Sequence, residues 1–284
     1  MQIVTEKAAV AQRPLLTIRR PGLWSPFSLG EVWSYRDLLW ALAVRDVKLR
    51  YRQTALGVVW VVLQPLLAAG IMSFVFGFIA KLPSDGLPYF LLTYTGMLGW
   101  QAFNSTLTKA SSCIVGNAQL VSKVYFPRLI LPLSTVLSTL LDFLVGFALL
   151  LVLMGIYDIR PQATLFLLPV LLLLLITLAV GVGLWVSALM VTYRDLQYAV
   201  PYFTQLLLYA SPVALTISAV PKSVQIFYFL NPLTGLLEGF RWAIVGGGKV
   251  SGLALAYSFA VTILAFVLGA FAFKRMERNF ADVI

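Results

Sequence analysis

RDVKLRYRQTALGVVWVVLQPL, residues 45–66, decides the fold, because within it a basic segment runs straight into an apolar one. Arg45, Lys48, Arg50 and Arg52 leave little room for a buried surface, yet from Ala55 onward the chain suits hydrocarbon. This pattern marks a membrane boundary, with the cations on the cytoplasmic side, since Lys and Arg bias a flanking segment against translocation. Their aliphatic stems lie along apolar surface while the charged heads reach water and lipid headgroups, so these four residues form a membrane interface.

The rest of the chain agrees. Of 284 residues, 60% are apolar and 11% charged, and the mean hydropathy is +0.91, far from a globular balance. An all-α integral membrane protein follows. The net charge of +10 invites a nucleic-acid reading, but its placement excludes one. Nine of the 21 basic residues fall within residues 1–52, and Lys109, Lys123, Arg128, Arg194, Lys274, Arg275 and Arg278 stand near the ends of apolar runs. That is a topology signal, placing both termini in the cytoplasm. With no His and the single Cys113, zinc sites built on His or Cys, a Ser-His-Asp triad and an internal disulfide are excluded. Residues 1–30 lack an unbroken apolar stretch of the signal-peptide kind, so the first span is expected to act as the targeting element.

Taken in order, residues 1–30, interrupted by Pro14, Pro21 and Pro26, read as a cytoplasmic arm. Residues 31–52 carry Val32, Trp33, Tyr35, Leu38, Leu39, Leu42 and Leu49 against Arg45, Lys48 and Arg52, which predicts an amphipathic interface helix. A six-span domain is expected over 53–280, with spans near 57–79, 88–109, 129–154, 163–191, from 198 onward, and 253–273. Pro65 predicts a bend in the first span. Residues 110–128 are too polar to cross and read as a short helix along the inner surface. Residues 212–246, broken by Pro212, Pro221 and Asn231-Pro232, predict an outer re-entrant helical element, allowed in a membrane only under cover of protein or water.

Several residues invite chemistry. Gly246-Gly247-Gly248-Lys249 lacks phosphate-loop spacing and reads as an outer turn. Asn104-Ser105-Thr106 matches a glycosylation acceptor, but at the inner part of a span the match is accidental. Asp142 sits mid-span, where a carboxylate is costly unless paired, protonated or hydrated; a structural contact to Ser, Thr or Tyr and a proton relay are the two readings. Glu238 and Arg241, three residues apart, either lock the re-entrant helix or meet a polar or anionic substrate at the outer mouth. Tyr94, Trp100 and Asn104 in the second span, with Tyr198, Tyr202, Gln205 and Tyr209 in the fifth, offer flat faces with polar edges. Such side chains suit a sugar path; interfacial anchoring is the plainer account of the aromatics.

RYRQTALGVVWVVLQP at 50–65, VSKVYFPR at 121–128, YRD at 193–195 and NPLTGLLEGFRW at 231–242 together resemble the permease family of bacterial ABC exporters for polysaccharides. The resemblance covers nearly all of residues 31–280 and leaves the basic arm unexplained. It implies a type-2 ABC exporter for a lipid-linked glycan such as O-antigen, capsular polysaccharide or teichoic acid, in the inner membrane. Two copies of the subunit and two separate ATPase subunits, which bring ATP and Mg, are implied as partners, beside membrane lipids. In that family residues 114–126 look like the main coupling helix and the TYRDL turn like a smaller contact. Asn117, Lys123, Tyr125, Arg128, Arg194 and Asp195 are thereby implied in ATPase coupling. The chain itself has no nucleotide-binding loop and is expected to be non-catalytic, without a cofactor or metal of its own. A drug or small-lipid exporter of the same fold is the first alternative, and a proton-coupled secondary transporter built on Asp142 the second. Against a third, a membrane-bound glycosyltransferase or polymerase, stands the absence from this sequence of a paired-carboxylate constellation near either face.

Overall fold

A computed structural model describes residues 29–51, 57–246, 250–277 and 280. The expectations for residues 1–28, Arg52, the Arg50 side chain, Lys249 and Arg278 lie outside them. Every regular element among the described residues is helical. The interface segment is two helices, α1 (Leu29–Ser34) and α2 (Arg36–Tyr51). Leu42 and Ala43 of α2 are buried, while Trp33, Trp40 and Leu49 are exposed. Apolar side chains thus serve both the protein and the outside of this segment, which a single apolar stripe does not anticipate.

α3 (Gly57–Met72) stays helical through Pro65, and the departure from α geometry comes later, in a π-helical stretch at Ser73–Ile79. There Gly77 lies so close to Tyr89 that a Cβ would fall 2.6 Å from its ring. α4 (Tyr89–Gly116) outruns its expected end at 109, and α5 (Ala118–Lys123) is the short helix predicted beyond it. α6 (Ile130–Ile156) leads through a 3-10 turn at Ala163–Leu167 into α7 (Leu168–Thr192). α8 (Leu196–Tyr209) is followed by irregular backbone, then α9 (Lys222–Leu230), α10 (Pro232–Val245) and α11 (Gly252–Met276).

By length and composition, four helical stretches among the described residues suffice to cross a membrane: Val59–Ile79, Ile130–Ile156, Ala163–Thr192 and Gly252–Met276. α4 is long enough but carries Tyr94, Gln101, Asn104 and Lys109, and α8 has only 14 residues. The apolar excess and these lengths make a multi-pass membrane protein.

The core lies where α4, α7, α11 and α6 pack, with α10 seated against α4, α7 and α11. Without a strong hydrophobic drive between helices in lipid, close backbone approach does the packing. A Cβ on Gly269 of α11 would stand 1.9 Å from the Gly181 carbonyl of α7, so larger residues would force these helices apart. The helix ends can be matched from their contacts. Cys113 of α4 meets Ser187 of α7 at 3.8 Å, so the C-terminal ends of α4 and α7 share one side of the bundle. Tyr89, at the other end of α4, donates to the Ala214 carbonyl at 2.8 Å, which places the irregular 210–220 stretch on the opposite side.

Candidate functional site

The irregular stretch is held by side chains from three helices. Arg241 of α10 is 1% exposed. Its Nη2 donates to the carbonyls of Pro212 at 2.7 Å and Val213 at 3.0 Å, and its Nη1 to Leu215 at 3.3 Å and to Glu238 Oε1 at 3.0 Å. Glu238 in turn accepts the Ile217 N–H at 3.3 Å. Only a planar fork of N–H groups serves that many acceptors from one position. The close passage beneath it needs Gly96 of α4, where a Cβ would fall 2.1 Å from the Val213 carbonyl. Of the two readings for this pair, the structural lock is therefore the one the geometry presents.

The lock has members that sequence reasoning missed. Tyr89 is one; Ser218 donates to both Asp85 oxygens at 2.9 and 3.0 Å, and Gln225 donates to the carbonyls of Ile217 at 3.2 Å and Val220 at 2.9 Å. Asn231 caps α10 by accepting from the Leu233 N–H at 3.0 Å and ties it back by donating to the Ala210 carbonyl at 3.1 Å. Asn followed by Pro at the first helical position is a readable start signal. Nothing in the sequence marks the other three.

The expected path residues separate into two groups. Tyr94 is fully buried, its hydroxyl donating to the Gly146 carbonyl of α6 at 3.0 Å, and Trp100 is 3% exposed beside Phe103. Both are core residues of α4. Asn104 is half-buried, with Oδ1 enclosed. Tyr198, Tyr202 and Tyr209 of α8 are 80%, 64% and 60% exposed, and Gln205 is exposed with them. At steps of four, three and four residues these form one helical stripe. α8 itself touches mainly α4 and α7.

The opposite side of the bundle carries the expected coupling residues. Arg45 of α2 donates to Asn117 Oδ1 at 2.9 Å and also pairs with Asp46, while the Asn117 amide donates to the Cys113 carbonyl at 2.8 Å. Lys123, Tyr125, Arg194 and Asp195 are exposed and Lys48 is exposed on α2. Arg128 is not available in the same way, because its guanidinium donates to the Glu277 carbonyl and lies 5.5 Å over the Phe280 ring. Asp142 of α6 has an ionic partner on another span: Lys109 Nζ stands 3.5 Å from Oδ2 and donates to Ser138 at 2.8 Å. Lys109 therefore lies inside α4, which continues to Gly116, and not at the end of the helix. The pair borders a cavity of about 30 Å³ together with Gln64, Gln101 and Ser105. Among the described residues no group of three or more Cys, Asp or Glu side chains is placed to hold a metal ion.

A helical body with four stretches long and apolar enough to cross a membrane among the described residues defines a multi-pass membrane protein. The chain is a member of the ABC-2 type transporter family, whose model matches residues 37–245. It is similar to the O-antigen export system permease protein RfbA of Klebsiella pneumoniae, 27% identical over 91% of this chain and 98% of that protein. The protein of the same description from Myxococcus xanthus is 28% identical over 89% and 98%. Polysialic acid transport protein KpsM of Escherichia coli is 28% identical over 84% and 92%.

Proposed function

We propose that this chain is the membrane-spanning subunit of an ATP-driven exporter that moves a lipid-linked, O-antigen-like polysaccharide across the bacterial inner membrane. Two copies enclose the path and two ATPase subunits, carrying ATP and Mg, dock on the inner side. Six spans are α3 with its π-helical extension, α4, α6, α7 with its 3-10 lead, α8 and α11, with both termini in the cytoplasm. α8 reaches only about 21 Å at 1.5 Å per residue, short of a hydrocarbon core of about 30 Å. The irregular stretch after it completes the crossing, and α9 and α10 form the outer re-entrant element. Unpaired backbone at membrane depth is tolerated only when protein satisfies it. The Arg241 bonds to Pro212, Val213 and Leu215 supply that condition.

The observation that carries the substrate class is the open stripe Tyr198, Tyr202, Gln205, Tyr209. A sliding polymer needs many weak contacts, and tyrosine supplies a stacking face and a hydroxyl without tight capture. The similarity to O-antigen and polysialic acid transport proteins supports the same substrate class. On the inner side Lys123, Tyr125, Arg194 and Asp195 are the ATPase contacts, and Asn117 and Arg45 hold the helices behind them. A photoreactive residue at position 202 tests the reading during export in cells producing the glycan. Capture of glycan or its lipid carrier is the expected result, and labelling of bulk phospholipid alone refutes the path.

A further inference from the structure

The connection between α5 and α6 has an exposed half and an anchored half. Ser122 to Tyr125 are exposed, while Phe126 is buried and Arg128 is held. Three contacts hold Arg128, all to one place beyond the last turn of α11. The Arg128 N–H donates to Glu277 Oε1 at 3.3 Å, its guanidinium donates to the Glu277 carbonyl, and the same guanidinium lies over Phe280. Phe280 is itself locked, 1% exposed and edge-on to Phe273 at 5.4 Å, and Glu277 is paired with Lys274 at 3.1 Å. The sequence gives Arg128 no such partner, since Glu277 lies 149 residues away.

We propose that Glu277 and Phe280 form a strut that fixes the position of the coupling connection against the last span, and that Arg128 is a positioning residue rather than an ATPase contact. This rests on the assignment of residues 114–126 to ATPase docking. An exposed polar turn transmits displacement only if its far end is fixed, and here the fixing point is α11. The same helix packs at its outer end on α10, where a Cβ on Gly235 would stand 2.4 Å from Ser258 Oγ. The last span thereby joins the inner connection to the outer locked element through direct contacts. The anchor uses the two properties that distinguish Arg from Lys, a fork of donors and a flat cation that sits on an aromatic face.

The test uses the full chain co-expressed with its ATPase subunit and reconstituted with lipid-linked glycan. Phe280→Leu keeps an apolar side chain but removes the ring face, Arg128→Lys keeps the charge but removes the fork, and Phe280→Trp keeps a ring. The expected result for Phe280→Leu and Arg128→Lys is an ATPase subunit that still co-purifies, with glycan exported per ATP hydrolysed falling about tenfold. Amides of residues 120–126 then exchange hydrogen faster, and Phe280→Trp restores both readouts. Unchanged exchange and an unchanged export-to-hydrolysis ratio in both variants overturn the strut. The docking assignment fails differently: a Lys123→Ala, Tyr125→Ala double variant that binds the ATPase subunit normally refutes docking, whatever the exchange data show.

Discussion

α4 and α8 look like the same kind of helix in the sequence and are opposite kinds in the structure. Each breaks an apolar run with aromatics and amides, Tyr94, Trp100, Gln101 and Asn104 in one and Tyr198, Tyr202, Gln205 and Tyr209 in the other. In α4 the aromatics are closed in by α6, α7 and α10, and the Tyr94 hydroxyl is spent on the Gly146 carbonyl. In α8 they stand open, because the helix is short and packs mainly against α4 and α7. Polarity in a span says that lipid is not the partner. It does not say whether the partner is the protein's own backbone or a passing substrate.

The largest effect should come from the lock that closes the backbone after α8. Arg241→Ala leaves the carbonyls of Pro212, Val213 and Leu215 without their donor and Glu238 without its cation. Removing one partner of a buried ion pair costs about 3–5 kcal/mol. Loss of folded protein in a thermal or detergent-challenge assay is expected, with Arg241→Lys recovering only part. Normal stability with lost export would instead put Arg241 on the substrate side.

Next is Tyr94→Ala, a large-to-small change in a closed core, expected to cost about 3 kcal/mol. Tyr94→Phe removes only the bond to Gly146 and should cost about 1 kcal/mol. The same substitutions at Tyr202 should move stability by less than about 0.5 kcal/mol, as at any open site. A Tyr94→Ala protein that assembles normally and fails only in export would erase the distinction between the two helices. On α8 the order reverses. The Tyr198, Tyr202, Tyr209 triple alanine variant should insert, assemble and bind its ATPase subunit, yet export falls by about tenfold, while each single change weakens export modestly. Unchanged export in the triple variant would make the stripe a packing or lipid-facing surface.

These outcomes also separate what the sequence reveals from what only packing decides. The breaks near Pro212 and Pro221 and the Asn231 cap are legible because proline geometry and capping act locally. Apart from Glu238, the partners of Arg241 are not, nor are those of Arg128 and Lys109, since each reaches to a segment remote in the sequence. The end of α4 is hidden for a related reason. Lys109 looks like a terminating charge, but its ammonium has Ser138 and Asp142 to face, so the helix continues to Gly116.

That pair gives the smallest expected effect and the test of whether α4 does anything beyond packing. Asp142 is a buried carboxylate 3.5 Å from a partly exposed ammonium, so the pair is worth less than a fully buried one. Exposure brings water and screening to Lys109, and roughly 1 kcal/mol is the expected cost of Asp142→Asn. Asn still offers an oxygen to the ammonium, and Ser138 remains its acceptor at 2.8 Å. Leu offers nothing polar, so Asp142→Leu should be the more damaging change in folded yield. If the carboxylate only holds α6 to α4, Asp142→Asn exports within about twofold of the unmodified protein. A proton carrier has to ionise, and Asn cannot, so in that case Asp142→Asn would stop export as completely as Asp142→Leu at equal expression and ATPase binding. Export of the glycan by the Asn variant, driven by ATP in vesicles without a proton gradient, would leave the open stripe of α8 as the place where α4 and α8 differ in function as well as in packing.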